Sequence, residues 1–412
     1  MKEYRTITAC RSCGSRNLRK FFDLGRQPPA NSLLKNPAEK EKPYSLSLSQ
    51  CGDCGLVQLN ETIDPKILFS RYLWVTGTSS TARAFALDFF RAAIARCPGF
   101  RPGRGYVLEV ASNDGTFLLP FQERGFKVVG VDPAKNVASL ARRNGIETRA
   151  VFFGEKAARA LCKDYGQARL VIARNVLPHV ANTRDFVAGL AAAAHPEGVV
   201  AVEAHWAKII LEGLHYDSIY HEHLCYFTFQ TLERLLNQFG LFVFDVGASP
   251  ISGGSLVAYA SKQKRPEKKI VKTIRGAEAR TRTNALTSWQ RFAKRAIAHR
   301  RLFKALLRKE ASGGKRIAGY GASARSSTLL NFCGIGPAQL AVIADQNPLK
   351  QRLWTAGSHI PIRNPGEVFE VRPDAVCILA WNFKDEIMRE VKRRYGYRGP
   401  FLIPLPNHPY KA

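Results

Sequence analysis

Eleven consecutive residues, Tyr216-Asp-Ser-Ile-Tyr220-His221-Glu222-His223-Leu-Cys-Tyr226, form the densest run of polar and titratable side chains in the chain. An unperturbed imidazole titrates near ~6.5, so a histidine here can accept a proton at neutral pH, and Glu222 could orient and charge-stabilise a neighbouring ring. The run follows the β-branched stretch Gly198–Ala204, and His179 follows another, Leu170–Ala173. In an open α/β sheet both would lie at the carboxyl edge, where ligands bind. Acid–base catalysis is the chemistry these residue types favour. Two other readings stay open: His221 and His223 as a His-x-His metal pair completed for zinc or iron by His179 or Glu222, and a structural hydrogen-bond network.

Cys10-Arg-Ser-Cys13 and Cys51-Gly-Asp-Cys54 are two knuckles of identical spacing with 37 residues between them. Each CxxC turn points two thiolates at one ion, and two turns complete a tetrahedral four-sulfur zinc site with no open position for water. Such a site stabilises a fold and leaves the chemistry elsewhere. A redox pair would need only one CxxC, in a thioredoxin-like setting; unrelated buried cysteines are the remaining alternative. Cys97, Cys162, Cys225, Cys333 and Cys377 are isolated and read as small buried hydrophobes.

Tyr106-Val-Leu-Glu-Val-Ala-Ser-Asn-Asp-Gly115 reads as a strand, a small-residue loop and a helix opening near Thr116. Glu109-x-Ala111-x-Asn113-x-Gly115 has the spacing of the acidic-Gly-x-Gly-x-Gly loop of S-adenosylmethionine (SAM) enzymes, with two glycines replaced. Asp132, directly after Val128–Val131, puts a carboxylate at the tip of the next strand, where it can take both ribose hydroxyls. Glu109 would repel a dinucleotide pyrophosphate but suits cationic SAM, which carries no phosphate. A second loop, Gly319-Tyr-Gly-Ala-Ser-Ala324, with Asp345 after the following strand, is closer to a dinucleotide motif. It keeps open a nicotinamide site, or a helix-capping turn in a domain that binds part of the substrate.

The elements that must position these groups divide the chain into three. Residues 1–65 are turn-rich, with short strand-like pieces such as Tyr44–Gln50 and too few large apolar residues for a core of their own. Residues 66–260 alternate strands (Tyr106–Val110, Lys127–Val131, Leu170–Ala173, Gly198–Ala204) with helices (Ala134–Asn144, Thr183–Ala194), the pattern of a doubly wound parallel sheet. Leu241–Val246 and Ser255–Ala260 read as an antiparallel hairpin closing it. Residues 261–412 begin with a basic helix and continue as a second α/β unit, with strands Arg316–Tyr320, Leu340–Ala344 and Ala375–Ala380 and a helix opening at Ser326–Asn331.

Composition bounds the function. With 412 residues, 45% hydrophobic and 23% charged, wholesale disorder is excluded and two or three cores are affordable. No apolar run reaches the ~18 residues of a membrane span, and the first residues lack a signal-peptide core, so a cytoplasmic protein without a membrane partner is expected. The net charge of +29 invites a nucleic-acid reading. Between Lys262 and Arg316, however, 19 Lys and Arg face only Glu267, Glu278 and Glu310, more than half the excess. Trp289, Phe292, Ala296, Phe303, Leu306 and Leu307 recur there at helical spacing, so the stretch reads as an amphipathic helix whose basic face is solvated. An electrostatic funnel for a phosphorylated ligand is the alternative reading of that face; no nucleic-acid partner is expected.

Together the two CxxC pairs, LEVASNDG, YHEHLCYFT, SGGSLVAY, GYGASARSSTLLN and IADQNPLKQ…GSHIPI, in unbroken order from Cys10 to Pro404, resemble the SAM-dependent deoxysugar C-methyltransferases. The resemblance implies an α/β enzyme with a small N-terminal zinc-binding domain on Cys10, Cys13, Cys51 and Cys54, a central Rossmann-like SAM methyltransferase sheet, and a C-terminal Rossmann-like α/β domain that helps hold a nucleotide-diphosphate sugar. It makes Glu109, Ala111, Asn113, Gly115 and Asp132 the cofactor residues and His223 the base, with Tyr220, Glu222 and His179 beside it. Tyr72, Arg325 and Ser255 would meet the substrate. Trp74 stands where the family often has a second tyrosine, Ser252 where it has a histidine, and Arg325 where it has a lysine. A monomer or weak dimer is expected. Two functions outside this family remain as alternatives, an NAD(P)-dependent nucleotide-sugar oxidoreductase using Gly319–Ala324 and a zinc-containing nucleic-acid-binding protein.

Overall fold

The computed structural model describes residues 3–69 and 75–412. Its centre is a seven-stranded sheet in the order Phe242–Ser249, Ser255–Ser261, Ala194–His205, Ala168–Arg174, Tyr106–Val110, Lys127–Val131 and Thr148–Arg149. The last five strands in that order are mutually parallel, and the first two form the antiparallel closing hairpin. Tyr106–Val110 is buried along its whole length because helices cover both faces, which is why it reads as an apolar run rather than an alternation. Helices Lys135–Arg143, Glu155–Tyr165 and Thr183–Ala193 supply crossovers and Ser80–Ile94 leads into the first strand; Ser79 and Asn182 cap two of these helices.

A second sheet, in the order Ile362–Arg363, Val342–Ala344, Ile317–Tyr320, Ala375–Ile378, Phe401–Ile403 and Tyr410–Lys411, forms the C-terminal unit, parallel except at its last pair. Two local expectations change. The helix expected near Thr116 is confined to Leu119–Gln122, because Thr116 is held back in the loop by its hydrogen bonds to Asp114 Oδ1. The single basic helix is two, Lys269–Arg280 and Leu286–Glu310. The break between them includes Arg282 at φ +50°, and Thr283 gives its carbonyl to the Trp289 indole.

The longer of these helices buries Trp289, Phe292, Ala296, Phe303 and Leu307, spaced three to seven apart along one side. Against that side lies the N-terminal region, with Phe22 edge-on to Phe292 at 6.0 Å and to Phe332 at 5.7 Å. Two of the three acids counted in the basic stretch are turned to structure. Glu278 is buried and accepts from the Trp206 indole and from the Phe229 amide at 2.6 Å each. Glu267 shares Arg275 with Glu233. Among the described residues no helix is long and apolar enough to cross a membrane.

The N-terminal region is an antiparallel sheet of Leu18–Gln27, Tyr44–Cys51 and Val57–Leu59. Its fourth strand comes from far along the chain: Cys225–Tyr226 pairs with Gln58 and Val57. The sulfurs of Cys10, Cys13, Cys51 and Cys54 lie within 4.8 Å of one another, with Cys10 to Cys54 at 3.5 Å and Cys13 to Cys51 at 3.6 Å. Four thiolates bound tetrahedrally to zinc stand about 3.8 Å apart, so the donor set fits that ion. Of the remaining cysteines, Cys97, Cys225, Cys333 and Cys377 are buried as expected, and Cys162 is half-buried.

Replacing Cys51 and Cys54 together with Ser should remove one zinc per chain and split off an early unfolding transition, because metal binding here is folding free energy. Elemental analysis and a melting curve check this; a metal-free variant that melts like the parent would contradict it.

Candidate active site

The loop after Tyr106–Val110 takes up the conformation of the glycine motif without its glycines. Ala111, Asn113 and Gly115 have φ of +59°, +52° and +83°, so all three alternate positions are left-handed. An alanine there is strained, and it persists because the surroundings dictate the turn. Asp132 supplies part of that constraint: Oδ2 accepts the Asn113 amide at 3.0 Å and Oδ1 the Ala134 amide at 2.9 Å. Asn113 in turn accepts the Thr76 amide through Oδ1. Gly130 is needed beneath the loop, since a Cβ there would meet Ser112 Oγ at 2.5 Å. Glu109 is buried with Oε2 unpartnered, and burial pushes its carboxyl up to about 8. A buried acid without a partner beside an adenosine-type ribose acceptor fits a cationic cofactor, and Glu109, Asn113 and Asp132 are the residues that would hold it.

The polar run forms a loop and a short helical turn, Tyr216–Ser218, before joining the sheet of the four-cysteine region. His223 Nδ1 donates to the Ser218 carbonyl at 2.8 Å, which fixes the tautomer and leaves Nε2 as the acceptor. The Tyr220 hydroxyl donates to that Nε2 at 2.7 Å. Burial, then the nearby His179, pushes the His223 pKa well below the usual imidazole value. His179 lies edge-on to His223 at 4.8 Å and is itself held near 4 by burial. The ring is therefore neutral at pH 7, with a lone pair directed at a phenol.

His221 turns the other way and donates through Nε2 to the Ser45 carbonyl, so it does not pair with His223 as a metal ligand. Among the described residues the four cysteines form the one metal-ligating cluster of three or more such groups. Glu222 does not orient an imidazole through its side chain. It is buried, accepts from Asn31 Nδ2 at 2.6 Å, and its pKa is pushed up to about 7. The Ser218 carbonyl performs the orienting in its place.

Two adjoining cavities frame this arrangement. One, of about 600 Å³, is lined by Glu109, Ala111, Asn113, Asp132, His179, Tyr220 and His223 among others. It brings the cofactor loop and the histidines together. The other, of about 890 Å³, is lined by Asn31, Glu222, Gly321, Ala324 and Asp345 at the mouth of the C-terminal sheet. Tyr220, Arg325, Ser79, Thr81 and Phe383 border both. In the second, Asp345 Oδ2 accepts the Ala322 amide at 2.8 Å, and Ser323 caps helix Ala324–Cys333.

The sites expected for substrate are spread differently. Tyr72, like Trp74, lies outside the described residues. Ser255 is buried in the closing hairpin, gives its hydroxyl to the Ile251 carbonyl at 3.1 Å, and lines neither cavity. Arg325 lies where the cavities meet, but its fork is held by Asp217, Nε to Oδ2 at 3.0 Å and Nη2 to Oδ1 at 2.9 Å. The Trp381 indole donates to the same carboxylate at 2.8 Å and stacks on the guanidinium at 4.7 Å.

Three groups at the site escape the sequence reading, one buried beneath Arg325 and two on the wall of the first cavity. Asp217, which clamps Arg325, sits inside the polar run but was not singled out. His205 lines the cavity at the end of its strand, with Nε2 buried and unpartnered and its pKa pushed well down by burial. Arg174 lines it too, its Nε 2.6 Å from Glu203 Oε2. The signal for this pair was a glutamate inside the apolar strand Gly198–Ala204, since a buried acid calls for a cationic partner.

Family models match three successive stretches: a zinc binding domain over residues 10–69, a methyltransferase domain over 82–245 and a C-methyltransferase C-terminal domain over 250–406. C-methyltransferase NovU of Streptomyces niveus is 31% identical over 407 residues, 98% of this chain and 96% of that protein. Among solved structures, the chain is similar over 43% of its length, and 78% of the other, to magnesium protoporphyrin IX methyltransferase from Synechocystis with bound SAM, at 15% identity and TM-score 0.33. It is similar over 46%, and 81% of the other, to 1,6-didemethyltoxoflavin-N1-methyltransferase from Burkholderia thailandensis, at 20% identity and TM-score 0.33. With a whole-length relative and all three domain models in order, the chain belongs to the SAM-dependent C-methyltransferases that carry an N-terminal zinc-binding domain.

Proposed function

We propose that the enzyme methylates the carbon next to the ketone of a nucleotide-diphosphate-linked keto-deoxysugar, with His223 as the base. The observation that carries this reading is the unprotonated Nε2 of His223 bordering the same cavity as the cofactor loop. When bound, SAM supplies an electrophilic methyl group and needs only a carbon nucleophile within reach. A C–H beside a carbonyl becomes one once its proton is taken, and a neutral imidazole can take it if the enolate oxygen is stabilised.

The roles of the side chains follow from their bonds. His223 Nε2 receives the proton while the C–H electron pair becomes the enolate. Tyr220, which donates to Nε2 without substrate, is released by that same protonation and can turn its hydroxyl to the developing oxyanion. Burial of His179 and His205 as neutral rings leaves both able to donate one N–H into the cavity without adding a formal charge. The second cavity suits the nucleotide half: Asp345 stands at a strand tip, where carboxylates take ribose hydroxyls, and the start of helix Ala324–Cys333 offers amides to a phosphate. The sugar class itself is supported by the run of family motifs from Cys10 to Pro404.

Incubation with methyl-labelled SAM and a panel of dTDP-4-keto-6-deoxysugars should put label on carbon; no label on any keto-sugar nucleotide would remove the reading. His223→Ala should keep SAM affinity and lose roughly 10²–10⁴-fold in turnover, whereas near-normal turnover would place the base elsewhere.

The acid limb of the rate profile is a separate check. The active form of His223 is the neutral ring, and its lowered pKa keeps that form populated as pH falls through 6.5. Turnover with both substrates saturating should therefore be level from pH 7.5 to 6, and a limb centred near 6.5 would contradict the assignment.

A further inference from the structure

Arg174 ends the strand Ala168–Arg174 with its side chain only 7% exposed. Its Nε is anchored by Glu203, a fully buried carboxylate that also accepts from Asn175 Nδ2 and Ser249 Oγ at 2.8 Å each. The guanidinium lies over the Phe117 ring at 3.1 Å and within 5.6 Å of the Phe85 and Phe89 rings. A guanidinium has five N–H donors, and only the one on Nε finds a protein acceptor among the described residues. The two terminal nitrogens thus have a position dictated by packing, a wall of the 600 Å³ cavity beside them, and nothing to bond. Donors held in place and opening on a cavity have a ligand acceptor as their natural complement.

The neighbourhood narrows the ligand. Ser79, Thr81 and Ala82, at the amino end of the fifteen-residue helix Ser80–Ile94, line the same cavity, and a helix start favours a negative group. Phe85 and Phe89, which flank Arg174, stand on that helix. On the strand next to Arg174's own, Glu109 keeps an unpartnered Oε2. An unbonded guanidinium fork and an unbonded carboxyl, which a cationic ligand would ionise, stand at adjacent strand ends and complement an amino-acid zwitterion. SAM has one anionic group, the α-carboxylate of its methionine half, and no phosphate. A planar fork matches a carboxylate through two parallel hydrogen bonds.

We infer that Arg174 receives the α-carboxylate of SAM through its terminal nitrogens, with Glu203 holding the guanidinium in place. The inference rests on the cofactor lying along the Glu109–Gly115 loop. Glu203 leaves the fork facing the cavity by taking Nε alone. The second cavity, where the proposed diphosphate would lie, is not lined by Arg174.

The test compares SAM with decarboxylated SAM, which keeps the adenosine, the sulfonium and the amine, by calorimetry on the full-length zinc-loaded enzyme. The parent should bind SAM about 10- to 100-fold more tightly. In Arg174→Gln/Glu203→Gln, which removes both charges so that neither is left unpaired, that ratio should fall below about 3-fold with the affinity for decarboxylated SAM kept. Should that variant fail to fold, Arg174→Lys keeps the charge pair and loses the fork, and its ratio should drop at least about threefold. Equal affinity of the parent for the two ligands, or an unchanged ratio in the folded variants, would overturn the inference. A parent that binds neither ligand would instead sink the cofactor placement, which separates the two failures.

Discussion

The two-residue strand Cys225–Tyr226 is the constraint on which the active site depends. It adds the histidine loop to the edge of the zinc-binding sheet through Val57 and Gln58. Leu59 N donates to the Leu224 carbonyl, and Leu224 N to the Pro178 carbonyl, so one short segment is tied to the zinc-bound region on one side and to the His179 turn on the other. His221 and Glu222, with their bonds to Ser45 and Asn31, extend that seam. The four-cysteine cluster therefore bears on the histidine loop at a distance. It keeps a small, core-poor sheet rigid enough to hold a strand whose residues pair with partners 167 and 169 positions earlier in the chain.

Once the loop is held, burial sets its chemistry. His179 and His221 are pushed down to about 4, and His205 and His223 well below the ordinary imidazole value, chiefly because each ring is taken out of water. Neutral rings can accept or donate a proton without a prior titration step. Which they do depends on hydrogen bonds: a carbonyl on Nδ1 makes His223 an acceptor at Nε2, whereas His221 spends its Nε2 proton on a carbonyl. Identical residue types two positions apart thus acquire opposite duties.

The charge of the chain resolves along the same lines. The basic stretch is a structural strut whose aromatic side packs on the N-terminal sheet, and its acids are absorbed into caps and ion pairs. Two buried charges at the site stand in pairs: Arg174 with Glu203, and Arg325 with Asp217. Each pair positions an arginine on a cavity wall, where a lone charge would be expensive to bury.

Much of this was legible in the residues. The CxxC spacing, the loop from Glu109 to Gly115, the acid after the next strand, and the strand–helix alternation are encoded within a few positions, and local geometry follows from local spacing. The strands Tyr106–Val110 and Lys127–Val131 and the helix Thr183–Ala193 lie where the apolar pattern puts them. Partnership over long separations was not legible. Glu222 bonds Asn31, 191 positions away, rather than an adjacent imidazole, and Arg325 bonds Asp217, 108 positions away. Ser255 falls inside a hairpin, and Arg174 and His205 emerge on a cavity wall that no motif marks. The sequence by itself determined the metal ligands, the cofactor loop and the supply of histidines, because each depends on neighbours in the chain. Only the tertiary structure decided which histidine keeps an accepting nitrogen on the cavity and which arginine keeps free donors, because that depends on what packing has already bonded to the rest.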